Sequence, residues 1–352
     1  MEQQLNPDKL NELLFKVVGD LGAAFSTSLV IIGDKLGLYS ALAKSPSTPA
    51  ELAKAAGVNA RYAEEWLNQQ AASGYVSYDK DKKKYYMTPE QAAAFADSSS
   101  PAYMPGAFEV AAATVHAEPK IAEKFRSGEG LPWKEHHNCL FNGTEKFFRA
   151  NYVGNLVGGW LPALEGVTEK LTRGARVADI GCGHGASTIL MAEAFPESDF
   201  TGFDYHEQSI TTANNRARER GLSERLAFEV ADATSFPGGD YDLIAHFDCF
   251  HDLGDPFGAA KRVKETLAKD GTWMIVEPFA NDNAEDNHNP VGRVFYGAST
   301  SICVPCSLAL NGPALGAQAG EQKLSQVIRE AGFTRIRRAA ETPFNIVLEV
   351  KH

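Results

Sequence analysis

The sequence predicts an α/β fold: a doubly wound sheet of seven strands, parallel except for an antiparallel last strand, behind a mostly helical N-terminal domain. Three observations carry that reading. From Gly174 onward, short β-rich runs alternate with helical ones. A glycine-rich turn, Gly181-Cys182-Gly183-His184-Gly185, joins the first β-rich run to its helix. The last two runs, RIRRAAE and NIVLEV, are separated by a short Pro-containing turn. That is too little chain for a crossover helix, so they pair antiparallel at the sheet edge.

Composition sets the broad class. The chain has 352 residues, 44% hydrophobic and 22% charged, which suits a folded protein of roughly two or three domains. Its 34 basic against 45 acidic side chains give a net charge of −11, which argues against sequence-independent nucleic-acid binding. Five cysteines form no disulfide framework and fit a reducing compartment. The start, MEQQLNPDKL, lacks a basic stretch followed by an apolar core, so no leader is read there. The weakly polar stretch from Leu21 to Gly33 is too short to span a bilayer, and a cytoplasmic protein is expected.

Residues 1–95 read as one domain. Leu13 to Leu42 places apolar residues three and four apart, as a helix pair would. Thr48, Pro49 and Glu51 read as a capped helix start, and Asn59 caps a second helix from Ala60 to about Ser73. Two short strands, Tyr75–Tyr78 and Tyr85–Thr88, flank the charged turn DKDKKK, which completes a winged-helix pattern. Residues 96–172 read as a helical linker and pocket lid rich in aromatics, Trp133 and Tyr152 among them. His136-His137 reads as solvated. Residues 173–352 hold the alternating region, with helices expected at 186–195, 207–220, 256–268 and 321–331 and a loop-rich insert at 280–320. Asn289, Arg293, Phe295 and Tyr296 of that insert are candidates for a substrate chamber.

The ligand chemistry is read at strand ends. Asp179 precedes the glycine turn, where glycines let the backbone bend tightly and the helix offers unpaired N–H groups. The second strand ends at Asp204, whose carboxylate suits a ribose diol. The third ends at Asp232-Ala233, where a carboxylate could meet an adenine amino group. On the residues alone, NAD, another nucleotide or a tight turn stay open, although Ala186 stands where a dinucleotide site wants a glycine.

Together DIGCGHG, GFDYHEQSI, EVADAT and the antiparallel last strand resemble a class I S-adenosylmethionine-dependent methyltransferase with a Rossmann-like sheet. The winged-helix start and Phe250-His251-Asp252-Leu253-Gly254-Asp255-Pro256 further resemble the plant-type small-molecule O-methyltransferases. The resemblance implies S-adenosylmethionine as cofactor and S-adenosylhomocysteine as product; with neither an HxxxH pattern nor a carboxylate cluster in the sequence, no catalytic metal is expected. It places Asp179, Gly181, Cys182, Gly183 and Gly185 around the methionine part, and Asp204 with Tyr205 at the ribose. Asp232 and Ala233 fall at the adenine, Phe247 and Asp248 near the sulfonium. It implies His251 as general base in an H-D-x-x-D pattern, with leucine where the family has tryptophan, and Glu277 as the carboxylate that holds it. Glu321 does not register as the family's second acid.

Methyl transfer to a hydroxyl needs alignment and a base, and a histidine of ordinary pKa near 6.5 is largely neutral at cytosolic pH. Cys303-x-x-Cys306 lacks a second ligand set and, with Pro305, reads as loop. A homodimer through the N-terminal helices is expected, with a small apolar or aromatic acceptor and neither nucleic acid nor membrane as partner. The helix after Asn59 carries Arg61 against Glu64 and Glu65, which disfavours base reading. Three alternatives remain: transfer to nitrogen, carbon or sulfur with His251 orienting substrate; a cofactor-sensing winged-helix regulator; and, weakest, an NAD-linked oxidoreductase.

Overall fold

Seven strands form one sheet in the order β5-β4-β3-β6-β7-β9-β8 in a computed structural model that describes residues 5–352. The first four residues, part of the start read for a leader, lie outside the described residues. Strands β3 (Arg176–Ile180), β4 (Asp199–Asp204), β5 (Leu226–Val230), β6 (Tyr241–Phe247) and β7 (Leu267–Pro278) pair in parallel. Their C-terminal ends therefore share one edge. β8 (Arg335–Glu341) and β9 (Asn345–Lys351) close the sheet, with β9 antiparallel to both β7 and β8. Central strands are near-continuous apolar runs because helices cover both faces of a parallel sheet. Ile244, Trp273, Ile275 and Leu348 are all fully buried in that core.

The helices between strands are set by local chemistry. Gly185 takes φ +77° and opens helix Ala186–Ala194, and Asp255 caps Pro256–Thr266 by accepting the Gly258 N–H at 2.7 Å. Helices Glu207–Glu219 and Gly320–Glu330 complete the expected set.

The insert departs from the sequence reading. Residues 280–320 hold helix Pro290–Ala298, then a wide turn Ser299–Cys303 that runs straight into helix Val304–Ala309. Pro290 and Pro305 sit in first turns, where a missing N–H costs nothing, and Asn289 accepts from the Gly292 N–H at 2.9 Å. Pro305, read as loop, lies in the first turn of a helix.

The chain divides into one compact unit of residues 1–112 and 139–150 and another of 113–138 and 151–352. The first unit carries the winged-helix elements. A capping box between Thr48 and Glu51 starts helix Pro49–Ala56, and Asn59 caps Ala60–Ala72. The hairpin, β1 (Ser77–Asp79) with β2 (Lys84–Tyr86), begins two residues later than expected, because the Tyr75 and Val76 N–H groups finish the preceding helix on the Gln70 carbonyl. Thr88 is not strand but caps helix Pro89–Phe95. Tyr39 packs edge-on against Trp66 at 4.9 Å within this core.

The long N-terminal helix, Pro7–Lys35, extends well beyond the stretch read as too short. By length and composition alone it is long and apolar enough to cross a membrane, and Phe15 and Phe25 stand 78% and 72% exposed on it.

Gly202 lies mid-strand, where an added Cβ would come within 2.4 Å of Phe228 and 2.9 Å of Cys182 Sγ. Replacing Gly202 with alanine is expected to destabilise by about 1–3 kcal/mol through overpacking. Thermal denaturation followed by circular dichroism checks this, and an unchanged melting temperature would contradict it.

Candidate active site

The chemistry gathers where the parallel strands end. At the end of β3, Gly181 takes φ +74°, and a Cβ there would meet Cys249 Sγ at 2.6 Å. Glycine is required twice over. The Gly181 and Cys182 N–H groups both donate to the Phe203 carbonyl, at 2.8 and 3.1 Å, which folds the turn back over β4. Gly183 has φ +52° and nothing within 4 Å of where a Cβ would stand, so its main chain borders open space. Gly185 is confined by Phe228, 2.5 Å from its notional Cβ. Cys182 is buried inside the turn, with its Sγ 3.9 Å from the Gly183 carbonyl oxygen.

Asp179 is fully buried. Its Oδ2 accepts from Ser187 Oγ at 2.6 Å and Thr188 Oγ1 at 2.7 Å, while Oδ1 has no partner among the described residues. Burial pushes its carboxyl up to about 6 against those two hydroxyls. An unpartnered buried carboxylate oxygen beside a helix start is a place for a cationic or donor group of a ligand.

Asp204 ends β4. Its Oδ2 accepts the Gly183 N–H at 2.9 Å and its Oδ1 the His206 N–H at 2.8 Å, which fixes the carboxylate and leaves a lone pair on each oxygen for a diol. Tyr205 beside it is half-exposed. Asp232 is exposed and gives Oδ1 to the Thr234 N–H and Oγ1 at 2.8 and 2.6 Å, leaving Oδ2; Ala233 is half-buried next to it.

β6 ends at Phe247, buried and packed against Tyr152 with the rings tilted and their centroids 5.2 Å apart. The next residue, Asp248, takes φ +52°, a left-handed conformation uncommon outside glycine and tolerated best by Asn and Asp. It is held there by a main-chain bond to the Val276 carbonyl at 2.7 Å. Its two carboxylate oxygens accept from Tyr152 Oη at 2.9 Å and Asn345 Nδ2 at 2.7 Å. Burial, reinforced by Glu277, raises its carboxyl well above the ordinary range. Tyr152 and Asn345 lie 96 and 97 residues away in sequence, and no motif marked them.

The turn Phe250–Asp252 then carries His251 back against β7. His251 Nδ1 meets Glu277 Oε2 at 2.5 Å, and Glu277 Oε1 accepts the Phe250 N–H at 2.9 Å. Both side chains are buried. Burial opposes charge on the ring, but Glu277 and Cys303 outweigh it, so His251 is well above an ordinary imidazole in basicity. The expectation of a histidine near 6.5 is corrected by its carboxylate. It is a stronger base, with a smaller share of neutral ring at neutral pH. With Nδ1 committed to Glu277, Nε2 is the nitrogen that can exchange a proton.

Other candidates are placed elsewhere. His246 is buried in β6, accepts from Trp273 Nε1 at 3.0 Å and is lowered to about 3 by burial, so it is structural. Glu321 pairs with Arg338 at 2.7 Å. His136, read as solvated, is buried with Nε2 3.8 Å from Cys306 Sγ, and burial lowers it to about 4; His137 stacks on His116 at 4.1 Å. In the insert Phe295 is buried, while Asn289 and Arg293 are exposed and Tyr296 is half-buried. Cys303, on the helical insert, joins His251 and Asp252.

A family described as a methyltransferase domain matches residues 171–332, and one described as an Rv2258c-like winged HTH domain matches 24–96. The 27-O-demethylrifamycin SV methyltransferase of Amycolatopsis mediterranei is 31% identical over 107 residues, 30% of this chain and 39% of that protein. The ubiquinone biosynthesis O-methyltransferase of Bordetella avium is 29% identical over 137 residues, 39% of this chain and 51% of that protein. The chain thus spans about half or less of the length of these curated relatives. Among solved structures, human N-acetylserotonin methyltransferase with SAM aligns at TM-score 0.72 and 16% identity, over 100% of this chain and 99% of that one. Mitomycin 7-O-methyltransferase aligns at TM-score 0.66 and 18% identity, over 98% and 100%. At such identities these two show a shared fold.

Because only the neutral ring accepts a proton, any base-dependent rate should rise with pH through a value above 6.5, measured with chelator present. In Glu277→Gln the limb should move to lower pH and the plateau should fall by about 10²–10⁴. An unmoved limb would contradict the pairing.

Proposed function

From a methyltransferase domain at residues 171–332 behind a winged helix-turn-helix domain at 24–96, we propose that the chain transfers the methyl group of S-adenosylmethionine to a hydroxyl of a small-molecule acceptor. The observation that carries the reading is the buried His251–Glu277 pair, set at the same sheet edge as the glycine turn and Asp204. Cofactor chemistry fits the residues present. The unpartnered Asp179 Oδ1, the open space at Gly183 and the fixed Asp204 carboxylate are the groups that would hold it, with Asp232 and Ala233 beside them. When bound, it supplies a sulfonium-activated methyl group.

The chain's own task is alignment and proton removal. Nε2 of His251 takes the hydroxyl proton as the oxygen is methylated. Glu277 holds the ring's orientation and stabilises the positive charge that forms on the imidazole. Asp248, fixed by Tyr152 and Asn345, stiffens the loop between Phe247 and His251.

The regulator reading has less support. On the helix after Asn59, Arg61 is paired with Glu65, and in the wing Lys84 pairs with Glu51 at 3.0 Å and Lys82 with Asp79 at 3.3 Å, so these cations are committed within the domain. We further propose that Pro7–Lys35 packs against a second copy, given its exposed Phe15 and Phe25.

Calorimetric titration should give micromolar binding of S-adenosylmethionine and S-adenosylhomocysteine, lost in Asp204→Ala, with none for NAD. His251→Ala should keep that affinity while turnover with a hydroxyl acceptor falls by about 10²–10⁴. Full turnover in that variant would remove His251 as base and favour transfer to another atom. Light scattering at micromolar concentration should give a dimer; a monomer would contradict the helix packing.

A further inference from the structure

We propose that His251, Asp252 and Cys303 form a binding site for a divalent transition-metal ion of the zinc class, and that metal bound there silences His251. A ring nitrogen, a carboxylate oxygen and Cys303 Sγ all lie within 4.8 Å of one another, two of the residues buried and one half-buried. A tetrahedral zinc site holds such donors about 3.3–3.8 Å apart, given bonds of about 2.0–2.3 Å, so a shift of at most about 1.5 Å closes it. The donor chemistry is selective: imidazole with thiolate favours zinc, cobalt and copper over magnesium or calcium.

A second observation points the same way. Metal-binding imidazoles are usually held through their other nitrogen by a carboxylate, and Glu277 already holds Nδ1 at 2.5 Å, so Nε2 is the nitrogen left to bind an ion. The site joins two stretches that sequence spacing could not connect, the turn at Phe250–Asp252 and the helical insert beginning at Pro290. Cys306, one helical turn beyond Cys303, is held instead against His136 at 3.8 Å. Three protein donors leave a fourth position for solvent.

As the ion binds, the Cys303 thiol and the protonated His251 ring, at Nε2, each release a proton to solvent. Nε2 then gives the metal the lone pair that would have taken the acceptor's proton. The silencing rests on the function proposed above; the site itself does not.

The test uses the full chain, stripped with chelator and titrated with Co²⁺. The expected result is a near-ultraviolet sulfur-to-cobalt charge-transfer band saturating at about one ion per chain and bleached by Zn²⁺. It should vanish in Cys303→Ala, survive in Cys306→Ala and need at least tenfold more Co²⁺ in Asp252→Asn. Circular dichroism checks that each variant is folded, and Cys303→Ser replaces Cys303→Ala if that variant is not. No charge-transfer band in the wild type, or an undiminished band without Cys303, would overturn the site. With an acceptor in hand, saturating Zn²⁺ should cut turnover at least tenfold and chelator should restore it. Unchanged or raised turnover would overturn the silencing. A Co²⁺ band without any methyl transfer would leave the site standing and count against the proposed function alone.

Discussion

A buried imidazole and a buried carboxylate 2.5 Å apart organise the functional edge of this molecule. Neither could be buried alone without a large desolvation cost, and breaking such a pair is far more damaging than never having formed it. Their meeting depends on neighbouring strands. β6 and β7 run parallel, so Glu277 at the end of β7 faces the loop that leaves β6. The left-handed turn at Asp248 then bends the chain so that Phe250 donates to one Glu277 oxygen and His251 meets the other. The carboxylate thus sets both the main-chain path and the ring orientation.

The antiparallel strand serves the same edge. Because β9 runs against the sheet, its first residue lies where the parallel strands finish, with Asn345 in register with Pro278. Asn345 donates to Asp248 at 2.7 Å and to the Glu277 carbonyl at 3.3 Å, which ties the closing strand to the proposed base loop. The glycine turn, Asp204 and Asp232 reach that edge from β3, β4 and β5. Ligands of open α/β sheets bind at such an edge because every strand delivers its loop there.

Much of this was legible in the sequence for local reasons. Glycine spacing, strand-terminal aspartates and the HDLGD segment are contiguous signals, and the structure brings His251 to Glu277 and Asp204 to the glycine turn. Where sequence reasoning fell short, the determinant was distant or ambiguous. Tyr152 and Asn345 converge on Asp248 across nearly a hundred residues each. Pro290 and Pro305 look alike in a loop and in a first helical turn, so the insert's helices were missed, and with them the approach of Cys303 to His251. Glu277 is read from the sequence as the partner of His251, but the raised basicity follows from how closely the two are buried together, which residue type does not report.

The most direct test of the account is a nitrogen-15 NMR titration of the metal-free protein labelled at histidine, with His251→Ala used to assign the ring. The account predicts that the His251 ring titrates above 6.5 and keeps its Nδ1 proton toward Glu277 throughout, leaving Nε2 as the site that gains and loses the proton. A ring that titrates at or below 6.5, or whose neutral form carries its proton on Nε2, would contradict it.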